Sequence, residues 1–148
     1  MATHETMEPV KTGKKQGDRL QCVVVTPERT LFDQLVEFVV LPLYDGELGI
    51  LPGRSPLIGR LGYGELRTKS EGITQRYFID GGFAEVRDDV VTVLTNRAIP
   101  AAKLDTAAAA RELEQAQAQR AANDFDQAEK DKAIARARAQ LHIGAAKG

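Results

Sequence analysis

The chain has 148 residues, a formal net charge of −1, one cysteine and two histidines. That length suits one domain, or a small domain with an appendage, and the charge balance argues against a nucleic-acid binder. A lone Cys22 excludes an intrachain disulfide and fits a reducing compartment, and no apolar stretch reaches the length of a bilayer span. Residues 1–18 carry Glu5, Glu8 and three lysines (Lys11, Lys14, Lys15) but no hydrophobic block. They read as a disordered tail on a soluble, intracellular protein, and as neither a secretory signal nor a transit peptide.

Residues 19–99 are rich in valine and punctuated by turn residues. Residues 20–26 predict a strand closed by Pro27, and residues 35–41 a second one stopped by Pro42. Segment 45–58 sets Gly, Pro and two carboxylates between apolar residues, so it reads as a shaped loop rather than a strand. Residues 64–68 and 75–80 flank a turn at Ser70-Glu71-Gly72, and residues 84–87 and 90–94 flank a tight turn at Asp88-Asp89. Gly81-Gly82 reads as a tight backbone path before Phe83, and Cys22 as a small buried hydrophobe. Short β-branched runs with frequent turns predict an antiparallel β-sandwich or barrel.

Past Pro100 alanine dominates and β-branched residues nearly vanish, which predicts an antiparallel two-helix hairpin over 100–148. Asp105 is placed to cap a first helix reaching about residue 122, Asn123-Asp124 to break it, and Asp126 to cap a second ending near His142. Acidic residues crowd the start of the second helix and Arg136 and Arg138 its end, an order that complements the helix dipole. Leu113, Phe125, Ile134 and Leu141 are the apparent anchors, with alanines between them. So few large apolar groups predict a hairpin weakly held against its neighbours, able to dock, undock or extend.

No catalytic constellation assembles. His4 and His142 lie near opposite ends of the chain, and there is no paired-His zinc motif, CxxC or phosphate loop. Asp45 and Glu47, the one carboxylate pair on a Gly-rich segment, read as solvated loop groups rather than an acid–base pair. Lys130, Lys132, Arg136 and Arg138 read on their own as a solvated face; the sharper reading is a stripe that meets an acidic partner. Composition and periodicity thus permit a free-standing β-sandwich binding module with a helical oligomerisation tail, with no cofactor and no catalysis of its own.

Particular motifs favour something more definite. Asp45-Gly46-Glu47-Leu48-Gly49-Ile50-Leu51-Pro52-Gly53-Arg54-Ser55-Pro56-Leu57 closely resembles the (D/E)GE(L/M)GILPGH(A/S)PL signature of the epsilon subunit of rotary F-type ATP synthases, with Arg54 in place of the usual His. The opening strand up to Phe32, the Gly81-Gly82-Phe83-Ala84-Glu85-Val86 element, the Val90-Val91-Thr92-Val93-Leu94 strand and the Leu104-Asp105 pair are similar to further elements of that family, in the same order. The resemblance implies a noncatalytic subunit of the rotating central stalk, bound to the gamma subunit and resting on the c-ring. Its place would be the cytoplasmic face of the cell (inner) membrane, reached only through partners. There it would couple ion-driven rotation to ATP synthesis, and its C-terminal hairpin would extend toward the catalytic alpha and beta subunits to restrain ATP hydrolysis. By the same resemblance Glu47, Leu48, Gly49 and Arg54 would meet the c-ring, and Lys130, Lys132, Arg136 and Arg138 an acidic segment of the catalytic subunits. An arginine at position 54 keeps its charge where a histidine would titrate. Some bacterial members bind ATP through (I/L)-D-x-x-R-A; here Leu104 and Asp105 are kept but Ala108 stands at the arginine position, which predicts weak or absent ATP binding.

Overall fold

The computed structural model describes residues 18–146; the tail read over 1–18 lies outside the described residues, save Asp18. Eight strands come first: β1 (Leu20–Val25), β2 (Thr30–Val36), β3 (Phe38–Leu43), β4 (Gly46–Ile50), β5 (Leu57–Ser70), β6 (Ile73–Arg87), β7 (Val90–Leu94) and β8 (Ala98–Pro100). They pair in the order β2-β1-β7-β6-β5-β3-β4, with β8 also on β6. Every pair is antiparallel except β1 with β7, which run parallel with Cys22 opposite Val91 and Val24 opposite Val93. Parallel neighbours need a long connection, and here the whole of β2–β6 supplies it.

The two long strands make the sheet fold over. β6 gives residues 83–87 to β7 and residues 77–79 to β8, while β5 follows it almost end to end. The change of partner falls at Gly81 (φ +69°) and Gly82 (φ +113°), where a Cβ on Gly82 would lie 1.9 Å from the carbonyl oxygen of Leu94. Only glycine admits both that φ and that approach, as the sequence suggests. The turns do as well: Glu71 (φ 53°) with Gly72 (φ 79°), and Asp88 (φ 51°) with Asp89 (φ 62°), are positive-φ pairs of the kind that join twisted hairpin strands.

Strict alternation sends Leu20, Cys22 and Val24 of β1 inward, where they share one core with Leu41 of β3, Leu66 of β5, Ile79 of β6 and Val91 and Val93 of β7. Phe32 and Tyr77 stack across this core at 5.4 Å. Each such fully buried side chain contributes about 1.5–3 kcal/mol.

Several sequence expectations are corrected. The run 35–41 is two strands, because Glu37 breaks it and its backbone N–H turns to the carbonyl of Lys69. Segment 45–58 is not loop throughout: Gly46–Ile50 forms β4, paired along β3, since Leu48 and Ile50 find core to cover and Gly49 leaves room for the Phe38 ring, which a Cβ there would meet at 3.1 Å. In the hairpin, α1 (Thr106–Ala118) ends earlier and α2 (Asp124–Ala145) runs further than expected. Asn123 caps α2 by accepting from the Asp126 N–H at 2.8 Å, and Asp126 reaches back to the Ala122 N–H at 3.2 Å. Asp126 therefore lies inside the first turn, as the reciprocal half of the cap.

The hairpin seam is small-sided. Ala109 and Ala116 of α1 and Ala137, Gln140 and Ile143 of α2 are its buried residues. Phe125 is 70% exposed and anchors nothing, because alanines let the helix backbones approach closely and leave no slot for a ring at the tip. It is α2 that packs on β5 and β6.

Candidate functional site

The signature segment divides between two places. Glu47 lies on β4, an edge of the sheet, and accepts from Arg67 of β5 at 3.1 Å. Arg67 also donates to Glu65 at 3.0 Å. Glu65 in turn accepts from Arg76 of β6, whose other nitrogen donates to the Ile143 carbonyl in the last turns of α2 at 3.0 Å. The bonds to Glu47 and then Glu65 hold the Arg67 guanidinium above its usual pKa. Glu47 is thus the outer end of a ladder of alternating charge that crosses the sheet to the hairpin. Leu48 is half-buried against the core and Gly49 is exposed. Arg54 sits apart from them on the exposed turn between β4 and β5, which the Gly53 N–H ties to the Asp89 carboxylate at 2.8 Å.

The four basic residues of α2 do not form one stripe. At about 100° per residue, Lys132 and Arg136 share one side of the helix and Lys130 and Arg138 lie roughly opposite. Lys132 pairs with Glu129 at 3.4 Å. Arg136 is bound to the sandwich: its Nε donates to Asp80 Oδ1 at 2.9 Å and its guanidinium lies 5.0 Å from the centre of the Tyr63 ring. Partial burial acts to lower its pKa, and the bond and charge of Asp80 outweigh that and raise it.

Leu104 lines a cavity of about 480 Å³ between sandwich and hairpin, shared with Arg76, Tyr77, Thr106 and Ile143. Asp105 does not point its chemistry there; its carboxylate caps α1 by accepting from the Ala108 N–H at 3.0 Å. Ala108 offers that N–H and nothing more.

Two features escaped the sequence reading. Asp80, adjacent to the Gly81-Gly82 bend, is the best-buried ion-paired acid among the described residues. An outward sheet face also carries Ile58, Phe83 and Leu94, which are 76%, 56% and 52% exposed. Phe83 lies directly opposite Leu94, and Ile58 opposite Glu85 on the same side. Strand alternation was the available signal: with Ala84, Val86 and Val93 inward, Phe83 and Leu94 must point out.

A sandwich with an apolar outer face and a latched, alanine-seamed hairpin defines a subunit built to contact other proteins. Among the described residues no group of three or more His, Cys, Asp or Glu is gathered as for a metal, and no helix is long and apolar enough to cross a membrane. Residues 19–101 match the family described as ATP synthase, delta/epsilon chain, β-sandwich domain. The ATP synthase epsilon chain of Rhodopirellula baltica is 52% identical over 122 residues, covering 82% of this chain and 95% of the relative. The chain belongs to the ATP synthase epsilon-chain family, and is a noncatalytic subunit of that complex. Solved chains share its fold, two of them from mitochondrial synthases. One, in the Euglena gracilis mitochondrial ATP synthase (OSCP/F1/c-ring), has a TM-score of 0.77, 23% identity and coverage of 95% of this chain and 89% of that one. The other, in the Tetrahymena thermophila mitochondrial central stalk and c-ring, has a TM-score of 0.68, 13% identity and coverage of 88% and 98%. Family membership decides against the free-standing module.

Proposed function

We propose that this chain works in the central stalk between the gamma subunit and the c-ring, at the cytoplasmic face of the inner membrane and held there only by its partners. The observation that carries this is that the likeness to a bacterial epsilon chain spans 95% of that relative, sandwich and hairpin together. The assemblies from which the two solved chains come, F1 with c-ring and central stalk with c-ring, support the same placement. In this reading the outward face of Ile58, Phe83 and Leu94 packs on gamma, because exposed contiguous apolar residues mark a protein interface. Arg54 on its exposed turn, with Glu47, Leu48 and Gly49 along the edge strand, faces the c-ring. The sandwich (19–99) and hairpin (100–148) act as separate domains. The hairpin leaves the sandwich to restrain hydrolysis, presenting Lys130, Lys132, Arg136 and Arg138 to acidic groups of the catalytic subunits. Without an arginine at position 108 and with Asp105 committed to its cap, the free chain binds ATP weakly or not at all.

Co-purification from native membranes in mild detergent tests the placement. Recovery of gamma, the catalytic subunits and the c-ring with the tagged chain is expected. Recovery of the chain alone, under conditions that keep the synthase intact, would overturn it.

A further inference from the structure

Asp80 occupies an unusual position for an acid. Its side chain is only 9% exposed, and the sandwich itself holds it in place. Its backbone N–H donates to the Arg97 carbonyl at 3.1 Å and to Thr95 Oγ1 at 3.2 Å. Arg97 Nε donates to Oδ2 at 3.1 Å, which leaves Oδ1 directed at the hairpin. Tyr63 is its direct partner across the β5–β6 ladder, so a carboxylate oxygen and an aromatic face lie side by side. That pairing suits one planar cation, bonded at its edge and covered on its face. Arg136 of α2 fills it.

We propose that Asp80 and Tyr63 form a socket for Arg136, and that this socket sets how often the hairpin leaves the sandwich. The proposal rests on the mobile-hairpin reading above and names the residues that govern it. The rest of the α2 contact is mostly apolar: alanines, Gln140 and Ile143 on the helix, the fully buried Phe78 on the same face of β6 as Asp80, and the bond from Arg76 to the Ile143 carbonyl. When the hairpin leaves, Asp80 keeps Arg97, so the sandwich does not strand a buried charge. Arg136 leaves as a bare guanidinium, and it cannot serve Asp80 and an acid of another subunit at once. Docking and inhibition therefore compete for the same group.

The test is Asp80→Asn in the full chain, read by hydrogen exchange. Asparagine retains the shape and the backbone contacts to Thr95 and Arg97, so unchanged exchange in β1 and β7 reports an intact sandwich. Exchange of α2 amides should rise about ten-fold, the scale of one hydrogen bond to a charged group. Arg136→Gln should do the same, and the double variant should add nothing further. Unchanged α2 exchange in Asp80→Asn, or fully additive single effects, would overturn the socket. In the assembled complex Asp80→Asn alters no group offered to the catalytic subunits, so it should lower ATP hydrolysis, the opposite sign to removing the hairpin. A merely structural lesion does not produce that sign. Faster α2 exchange with unchanged hydrolysis would keep the socket and contradict the inhibitory reading instead.

Discussion

The sandwich and the hairpin are held by different physics. In the sandwich, leucine, isoleucine, valine and phenylalanine fill a shared core closed by strand ladders. In the hairpin, the buried positions are mostly alanine, and the attachment to the sheet depends on Ile143 and on bonds donated by Arg76 and Arg136. Apolar burial is non-directional and summed over many contacts, so the sandwich has no single point of release. A few polar bonds over a small apolar seat have such points, and breaking them costs little of the core. The sandwich is therefore built as a platform, and the hairpin as an arm attached to it at a few points.

The largest expected effect removes the arm. Truncation after Ala102 should leave a sandwich that still unfolds cooperatively, and should raise ATP hydrolysis in the assembled complex several-fold. Loss of the sandwich's cooperative transition would break the comparison, and unchanged hydrolysis would remove the arm's inhibitory role. Next comes Leu66→Ala, which opens a cavity at a fully buried position of the sandwich core and should cost about 2–5 kcal/mol of global stability in urea unfolding. Ile143→Ala, a buried α2 residue, should cost about 2 kcal/mol or more, felt as faster α2 exchange with the sandwich midpoint unchanged. Smaller still, Asp105→Ala should cost the α1 cap about 1 kcal/mol, visible as lost helical signal before the sandwich melts.

The smallest effect concerns Cys22. Burial, with the charge of Asp33 adding to it, pushes the thiol from 9.0 up to about 12. Its contribution to stability is therefore complete below about pH 9 and declines as pH rises toward 12, because the unfolded thiol ionises first. Alkylation of the native chain at pH 8 should be far slower than in denaturant, and the sandwich midpoint should fall above pH 9 while hairpin opening, which involves no thiol, should not follow it.

What the sequence disclosed was local. Turns at Glu71-Gly72 and Asp88-Asp89, the bend at Gly81-Gly82, the Asp105 cap and the change to alanine past Pro100 each follow from the conformational preferences of the residues concerned. Harder to read was anything decided by a distant partner. β4 forms in a Gly-rich segment because β3 lies beside it, and Val36-Glu37-Phe38 divides two strands with no turn residue to announce it. Arg136 resembled its basic neighbours until Asp80, 56 positions away, was found against it. Glu47 likewise read as a solvated carboxylate, and its tie to Arg67 depends on the pairing of β3 with both β4 and β5. Charges reveal their type in sequence, whereas the partners that define their roles come from topology.

Native-state hydrogen exchange on the full chain tests the central claim most directly. The α1 and α2 amides should exchange through an opening that needs much less free energy than global unfolding, while the amides of β1, β5, β6 and β7 exchange only when the whole sandwich unfolds. Hairpin amides protected to the same free energy as the core strands would make platform and arm one cooperative unit, and would contradict the account.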